Sequence, residues 1–381
     1  MMKLIKNVHI FTPEDEGIKD ILICFDKIMK IDKNISLELE DFEIIDGSNL
    51  IAVPGYIDQH VHITGGGGEG GMHTRVPEVM LSDLVKNGIT TVVGLLGTDS
   101  VTRNVESLLA KTKALNEEGI TAYMLTGAYE FPSPTITGSV KKDISMIQEI
   151  IGVKIAISDH RDSRITIQEL SRLATEARVG GLIGGNAGLV TLHLGDGKEG
   201  LEPIRRIVEE TDIPMKHFLP THINRNSRLL AEGLDYARSG GFIDLSATKN
   251  PVSSPATIVS KLEDDFPFER ITFSSDGNGS TSSYDDHGNL LRISAMSVDT
   301  MPYQVKTLVC ENEFSVEKAV RFVTTNVAKV LSIYPQKGTL QVGSDADLVL
   351  LDKQYQVDTV FAKGRMMMKN KEILVNGTYE S

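Results

Sequence analysis

Apolar residues fall along this chain in two distinct rhythms. Residues 3–53 give short runs with no helical period: K-L-I-K-N-V-H-I-F, D-I-L-I-C-F-D, K-I-M-K-I-D and E-I-I-D, punctuated by Pro13, Gly17 and Asp/Asn clusters. The stretch after Gly338 repeats this, with T-L-Q-V-G-S-D-A-D-L-V-L-L-D, Q-V-D-T-V-F-A-K-G and M-M-M-K-N-K-E-I-L-V as strand-sized pieces. Two strand-rich ends around a different middle predict one small β domain built from residues 1–54 and 338–381. The middle, 55–337, would then be a large insertion.

That middle alternates. Y-I-D-Q-H-V-H, T-T-V-V-G-L-L, T-A-Y-M-L-T-G, G-V-K-I-A-I-S, L-V-T-L-H-L, H-F-L-P-T-H, F-I-D-L-S and R-I-T-F-S-S-D supply eight candidate strands between residues 56 and 276. Amphipathic segments separate them. Val101, Val105, Leu108, Leu109, Thr112 and Leu115 repeat at helical spacing, with Asp99 or Ser100 as cap and Gly119 as stop. Residues 166–179, 199–210 and 227–239 read the same way. Eight strands alternating with helices fit an α/β protein built on a (β/α)8 barrel, a fold that typically takes ~250 residues. An open doubly wound sheet fits the same alternation.

Candidate chemistry begins at Gly55–Glu69, G-Y-I-D-Q-H-V-H-I-T-G-G-G-G-E. On a strand, His60 and His62 at i and i+2 share a face and can grip one ion. Gly65–Gly68 let a ligand approach the backbone, and Glu69 places a charge over that approach. Further polar residues recur at the ends of candidate strands: Lys154, His193, His222 and Asp276. Barrel enzymes carry their functional groups at those ends. Five of these six are His or Asp, ordinary zinc ligands. His9, His73, His160, His217 and His287 lack that placement and are expected to be structural or surface residues.

Composition narrows the setting. Of 381 residues, 40% are apolar and 24% charged, ordinary globular values that leave ample core for one large and one small domain. A formal charge of −13 argues against nucleic acid and anionic membrane as partners, because both reward basic surfaces. No run reaches the ~18 apolar residues of a membrane span. Cys24 and Cys310 match no metal or redox spacing, and the lysine-broken start reads as a strand rather than a signal peptide. A cytoplasmic protein is expected.

These residues resemble the amidohydrolase superfamily: P-G-Y-I-D-Q-H-V-H on the first strand, a lysine on the fourth, histidines on the fifth and sixth, and an aspartate closing the eighth. The end G-T-L-Q-V-G-S-D-A-D-L-V-L-L-D resembles the family's return into a β-sandwich domain, which the resemblance implies for the terminal segments. Within it the chain is similar, from end to end, to the isoaspartyl dipeptidases. V-V-G-L-L-G-T-D-S, L-T-G-A-Y, G-V-K-I-A-I-S-D-H-R, T-H-I-N-R-N and S-S-D-G-N-G-S carry that likeness.

The resemblance implies two zinc ions. His60, His62 and Asp276 would hold one and His193 and His222 the other, with carboxylated Lys154 bridging them. It implies a bridging hydroxide as nucleophile, Asp276 as proton acceptor and donor, and Tyr129 as a hydrogen-bond donor to the oxyanion. For a β-aspartyl dipeptide, Glu69 would meet the amine, and Arg161 and Arg225 the aspartyl α-carboxylate. Thr98, Ser280 and the backbone of Gly67 and Gly68 would position the remainder. It also implies a homo-oligomer. A cyclic-amide hydrolase of the dihydropyrimidinase or dihydroorotase kind is the alternative enzyme, although a cyclic ureide has no amine for Glu69 to neutralise. A metal-free scaffold is the alternative outside enzymes. His73 receives no role from the resemblance, and the polar loop 278–289 is expected to move over the site.

Overall fold

The computed structural model describes residues 2–37, 42–285, 287 and 289–380. Both chain ends enter one sheet. Its N-terminal strands are β1 (Met2–Phe11), β2 (Asp15–Cys24), β3 (Lys27–Asp32), β4 (Glu43–Asp46) and β5 (Ile51–Pro54). Then come the strands of the middle: β6 (Tyr56–Val61), β7 (Ile89–Gly94), β8 (Thr121–Gly127), β9 (Ile150–Ile157), β10 (Leu189–Leu194), β11 (Phe218–Thr221), β12 (Ile243–Ser246) and β13 (Ile271–Ser274). A hairpin follows, β14 (Ser280–Tyr284) and β15 (Leu290–Ala295). The chain closes with β16 (Leu348–Leu351), β17 (Val357–Ala362), β18 (Arg365–Lys369) and β19 (Glu372–Ile373).

All eight expected middle strands are present. β6 to β11 form a parallel sheet in sequence order, and β12 pairs in parallel with β13. The ring closes where His62 N donates to Gly277 O at 2.9 Å, joining the end of β13 to β6. The fold is therefore the barrel rather than the open sheet. β6, β7, β9 and β10 are buried along their whole length, as strands covered on both faces must be. The covering helices turn one face inward: helix Ile167–Gly184 buries Leu170, Leu173, Ala174 and Ala177. Thr166 and Glu169 close its N-terminus as a reciprocal capping box.

The terminal strands run in the order β19-β18-β17-β16-β5-β1-β2-β3, with β4 against β1, nine strands in one hydrogen-bonded sheet. This sheet bends back on itself. Lys3 Nζ donates to Gly364 O (2.9 Å) and Ala346 N to Asp26 O (2.7 Å), drawing the β2–β3 turn onto the β16–β18 side. Ile5, Ile10, Ile21, Ile23, Leu348, Leu350 and Phe361 share the resulting core. β5 runs directly into β6 through Gly55, whose Cβ, if present, would lie 2.2 Å from Thr90 Oγ1.

Two expectations about local structure are corrected. The helix expected from residue 100 starts at Val105, capped by Asn104, whose side chain accepts from Ser107 N. Val101 is exposed, and Asp99 instead binds Val101 N, Thr102 N and Arg103. The segment expected to be a polar loop over 278–289 contains a strand, Ser280–Tyr284: Thr281 pairs with Ser294 and Ser283 with Arg292. Of that segment, Asp286 and Gly288 lie outside the described residues.

Candidate metal centre and substrate cavity

The six residues singled out at strand ends converge. His60 sits on β6, and His62 just past it. Asp276 Oδ1 lies 3.2 Å from His62 Nε2 and 3.5 Å from His60 Nε2. The ligand atoms of these three fall within 4.8 Å of one another, the separation a single metal ion bridges. His222, after β11, packs its ring 4.9 Å from that of His60 and 4.7 Å from that of His193 on β10. Lys154, on β9, brings Nζ to 3.3 Å from His60 Nε2.

Backbone strain marks the same positions. His222 (φ 61°) and Asp276 (φ 54°) are left-handed, a conformation that costs a non-glycine residue of order 1 kcal/mol or more. It swings each side chain from its strand into the barrel mouth. Gly97 and Gly279 allow the crowding that results. A Cβ at Gly97 would stand 2.8 Å from His62 Cε1, and one at Gly279 would stand 2.7 Å from Asp276 Oδ1.

Burial makes this cluster electron-rich. It pushes His60, His193 and His222 well below the usual imidazole range, so they are neutral bases near pH 7. It pulls the Lys154 ammonium down to about 7. Among the described residues Lys154 has no carboxylate within ion-pair distance, and the buried Nδ1 atoms of His60 and His62 have no hydrogen-bond partner. Neutral imidazoles, a carboxylate and a half-neutral amine without a counter-ion form a donor set suited to divalent cations.

Several residues that no sequence motif singled out hold the cluster in place. Asp159 accepts from Arg161 Nε and Nη2 (both 2.9 Å) and faces His193 Nε2 at 2.9 Å. Burial opposes its ionisation, but the Arg161 and His193 hydrogen bonds outweigh burial and hold it far below the carboxylate range. Deeper in the barrel, Asp58 accepts from Ser275 Oγ, and Asp244 from Ser274 Oγ (2.6 Å), Gln59 and Thr272. Burial raises both acids to about 7. Asn224 ties the turn after β11 to Ser246 and Ser253. One signal was available for two of these: Asp58 and Asp159 each lie two residues before a singled-out residue.

A cavity of about 560 Å³ opens over the cluster. Gly67, Glu69, Thr98, Tyr129, Arg161, Arg225 and Ser280 line it together with His62, His193, His222 and Asp276. His60 and Lys154 lie buried below, and Gly68 does not line it. Glu69 Oε1 and Oε2 accept from Ser280 Oγ at 2.8 and 3.0 Å, and Arg161 approaches Oε1 at 3.5 Å. The Tyr129 hydroxyl lies 2.5 Å from His193 Nδ1, and burial raises its pKa, keeping it a proton donor. Arg225 is exposed, 3.9 Å from Asp196. His73 is exposed on a turn at Met72–Thr74, away from the cavity lining.

Comparison with known proteins places this site in a lineage. Residues 221–367 match the model of the amidohydrolase family. The crystal structure of a β-aspartyl dipeptidase from Fervidobacterium islandicum, in complex with the dipeptide β-Asp-Leu, is 40% identical, with 100% of both chains covered and a TM-score of 0.95. The chain belongs to the β-aspartyl dipeptidase group of the amidohydrolase family. An L-hydantoinase from Paenarthrobacter aurescens is 23% identical over 92% of this chain and 85% of its own. A dihydropyrimidinase from Brevibacillus agri shares the fold at 18% identity and a TM-score of 0.67, over 99% of this chain and 97% of that one. The family is metal-dependent, and in this chain His60, His62 and Asp276 are grouped closely enough to hold a metal ion. Among the described residues no helix is long and apolar enough to cross a membrane.

Proposed function

We propose that this hydrolase acts as a dizinc dipeptidase that releases L-aspartate from β-aspartyl dipeptides. The observation that carries the reading is one cavity in which Glu69, Arg161 and Arg225 stand around the His62–Asp276 corner of the metal cluster. A β-aspartyl dipeptide brings an α-amine, an α-carboxylate and a scissile amide to those groups. A cyclic ureide brings no amine to Glu69.

In this reading His60, His62 and Asp276 would hold one ion, and His193 and His222 the other. Lys154 would serve both as a carbamate: its neutral amine would form an N–C bond to CO2 and shed a proton, leaving an anion with two donor oxygens. Burial and the lack of an acidic partner support this, since both favour the neutral amine. When bound, the ions supply Lewis-acid polarisation of the amide carbonyl and a water acidic enough to act at neutral pH. Asp276 takes the proton of the attacking water at its carboxylate and delivers it to the departing nitrogen. The Tyr129 hydroxyl donates to the developing oxyanion. Glu69, held by Ser280, binds the substrate amine. Arg161 and Arg225 bind the aspartyl carboxylate, with Thr98 and the backbone of Gly67 and Gly68 as further contacts. Residues 55–337 would form the catalytic unit and the terminal segments a supporting one. The two unpaired cysteines support a cytoplasmic setting, and assembly of several copies completes the proposal by family analogy.

The test is hydrolysis of β-Asp-Leu against α-Asp-Leu by the zinc-loaded protein, with Glu69→Gln beside it. Cleavage of the β isomer alone, lost on substitution, supports the reading. Cleavage of neither peptide with metal bound turns it toward cyclic amides, and failure to bind metal toward a scaffold.

A further inference from the structure

The hairpin β14–β15 forms part of the cavity wall. Its lining is nearly all hydroxyl, Thr281, Ser282, Ser283 and Ser294, with one charged side chain, Arg292. Three guanidinium groups therefore line the cavity, and their surroundings differ. Arg161 is forked onto Asp159 and reaches Glu69, and Arg225 stands 3.9 Å from Asp196. Arg292 has no hydrogen bond or ion pair with any described residue. It is exposed, and it sits directly across the hairpin from Ser283, a neighbour that offers only a neutral hydroxyl.

Charge counting on the proposed substrate leaves one group unassigned. A β-aspartyl dipeptide carries an ammonium and two carboxylates. Glu69 answers the ammonium, and Arg161 and Arg225 the aspartyl carboxylate. The terminal carboxylate of the departing residue has no cation among them. A guanidinium without an acidic partner among the described residues, in a hydroxyl-lined wall of the same cavity, fits it: the planar fork matches a carboxylate, and no ion pair with a described residue must break first.

Resting on the dipeptidase reading, we infer that Arg292 is a specificity-determining residue that binds the free C-terminal carboxylate of the departing amino acid and so limits the enzyme to dipeptides. A longer peptide, or an amide, presents no anion at that distance from the scissile bond.

The experiment compares β-Asp-Leu with β-Asp-Leu amide for the wild-type holoenzyme, Arg292→Met and Arg292→Lys. One charge-assisted contact at an exposed site implies a wild-type preference for the free acid of about tenfold in kcat/KM. Arg292→Met is expected to abolish that preference by raising KM for the acid, with kcat and the amide reaction unchanged, and Arg292→Lys to keep part of it. Retained acid preference in Arg292→Met overturns the inference, as does an equal loss on both compounds, which would mark a structural role. Wild-type protein that cleaves neither compound overturns the dipeptidase reading and this inference with it.

Discussion

The Asp159 carboxylate lies 2.9 Å from His193 Nε2 while Arg161 forks both of its oxygens. The arginine fixes the carboxylate, the carboxylate accepts a hydrogen bond from Nε2–H, and the lone pair of His193 is left on Nδ1, where the Tyr129 hydroxyl points. Histidine ligands are ordinarily oriented in this way by an acid behind them.

Asp159→Asn should therefore weaken the ion assigned to His193 and His222 while sparing the other. Losses of about 10–100-fold in affinity or activity are typical when such a partner is removed. Metal content after dialysis, read beside kcat, checks this; two tightly held ions and an unchanged kcat would refute it.

Glu69→Gln keeps the size of the side chain and its Ser280 contact but removes the charge. A lost charge-assisted hydrogen bond of ~1.5–3 kcal/mol corresponds to a fall of roughly 10–150-fold in kcat/KM on β-Asp-Leu. Steady-state kinetics decide it, with metal content expected to stay at the wild-type level.

Gly97→Ala places a methyl 2.8 Å from His62 Cε1. His62 must move, so metal affinity and activity should fall more than thermal stability. A lowered melting temperature with full metal occupancy would show that the backbone moved instead.

Lys154→Met tests the buried amine through pH. The folded-state pKa is depressed to about 7 against an ordinary 10.5. Between those values the unfolded chain binds a proton that the folded one does not, so this group makes stability rise with pH across that window. In chelated, metal-free protein, the methionine variant should be more stable than wild type near pH 6, and the two should converge near pH 10. Denaturant melts at both pH values check the sign.

Lys337, buried between Asp345 and Asp347, behaves oppositely. Burial lowers its pKa, but the two carboxylates outweigh burial and the net shift is upward. Its contribution is present below pH 10.5 and is lost as pH rises through the higher folded value. Lys337→Met should cost about 3 kcal/mol at neutral pH, the order seen when one partner of a buried pair is removed. Urea unfolding provides the number.

The barrel strands were legible because each is an apolar run bounded by polar turns. The convergence of the six singled-out side chains was legible because polar residues in or just after those runs meet at one barrel mouth. The hairpin was not, because Ser280–Tyr284 has no apolar face: it borders a polar cavity, and its hydroxyls give no period-two signal. The start of the helix at Val105 was obscured because Val101, exposed on the preceding turn, continues the helical spacing by coincidence. Asp159 was visible as a residue in S-D-H-R, but its task depends on where His193 arrives from 34 positions away.

Gly55 carries one further consequence. Because β5 passes into β6 through a single residue too crowded to gain a side chain, the terminal sheet and the strand bearing His60 share one rail. A slip of one residue in the pairing of β5 with β16 would carry His60 and His62 about 3.3 Å along their strand and turn them to the wrong face. Anyone trimming this protein to a minimal catalyst would be cutting away the ruler against which its first two ligands are set.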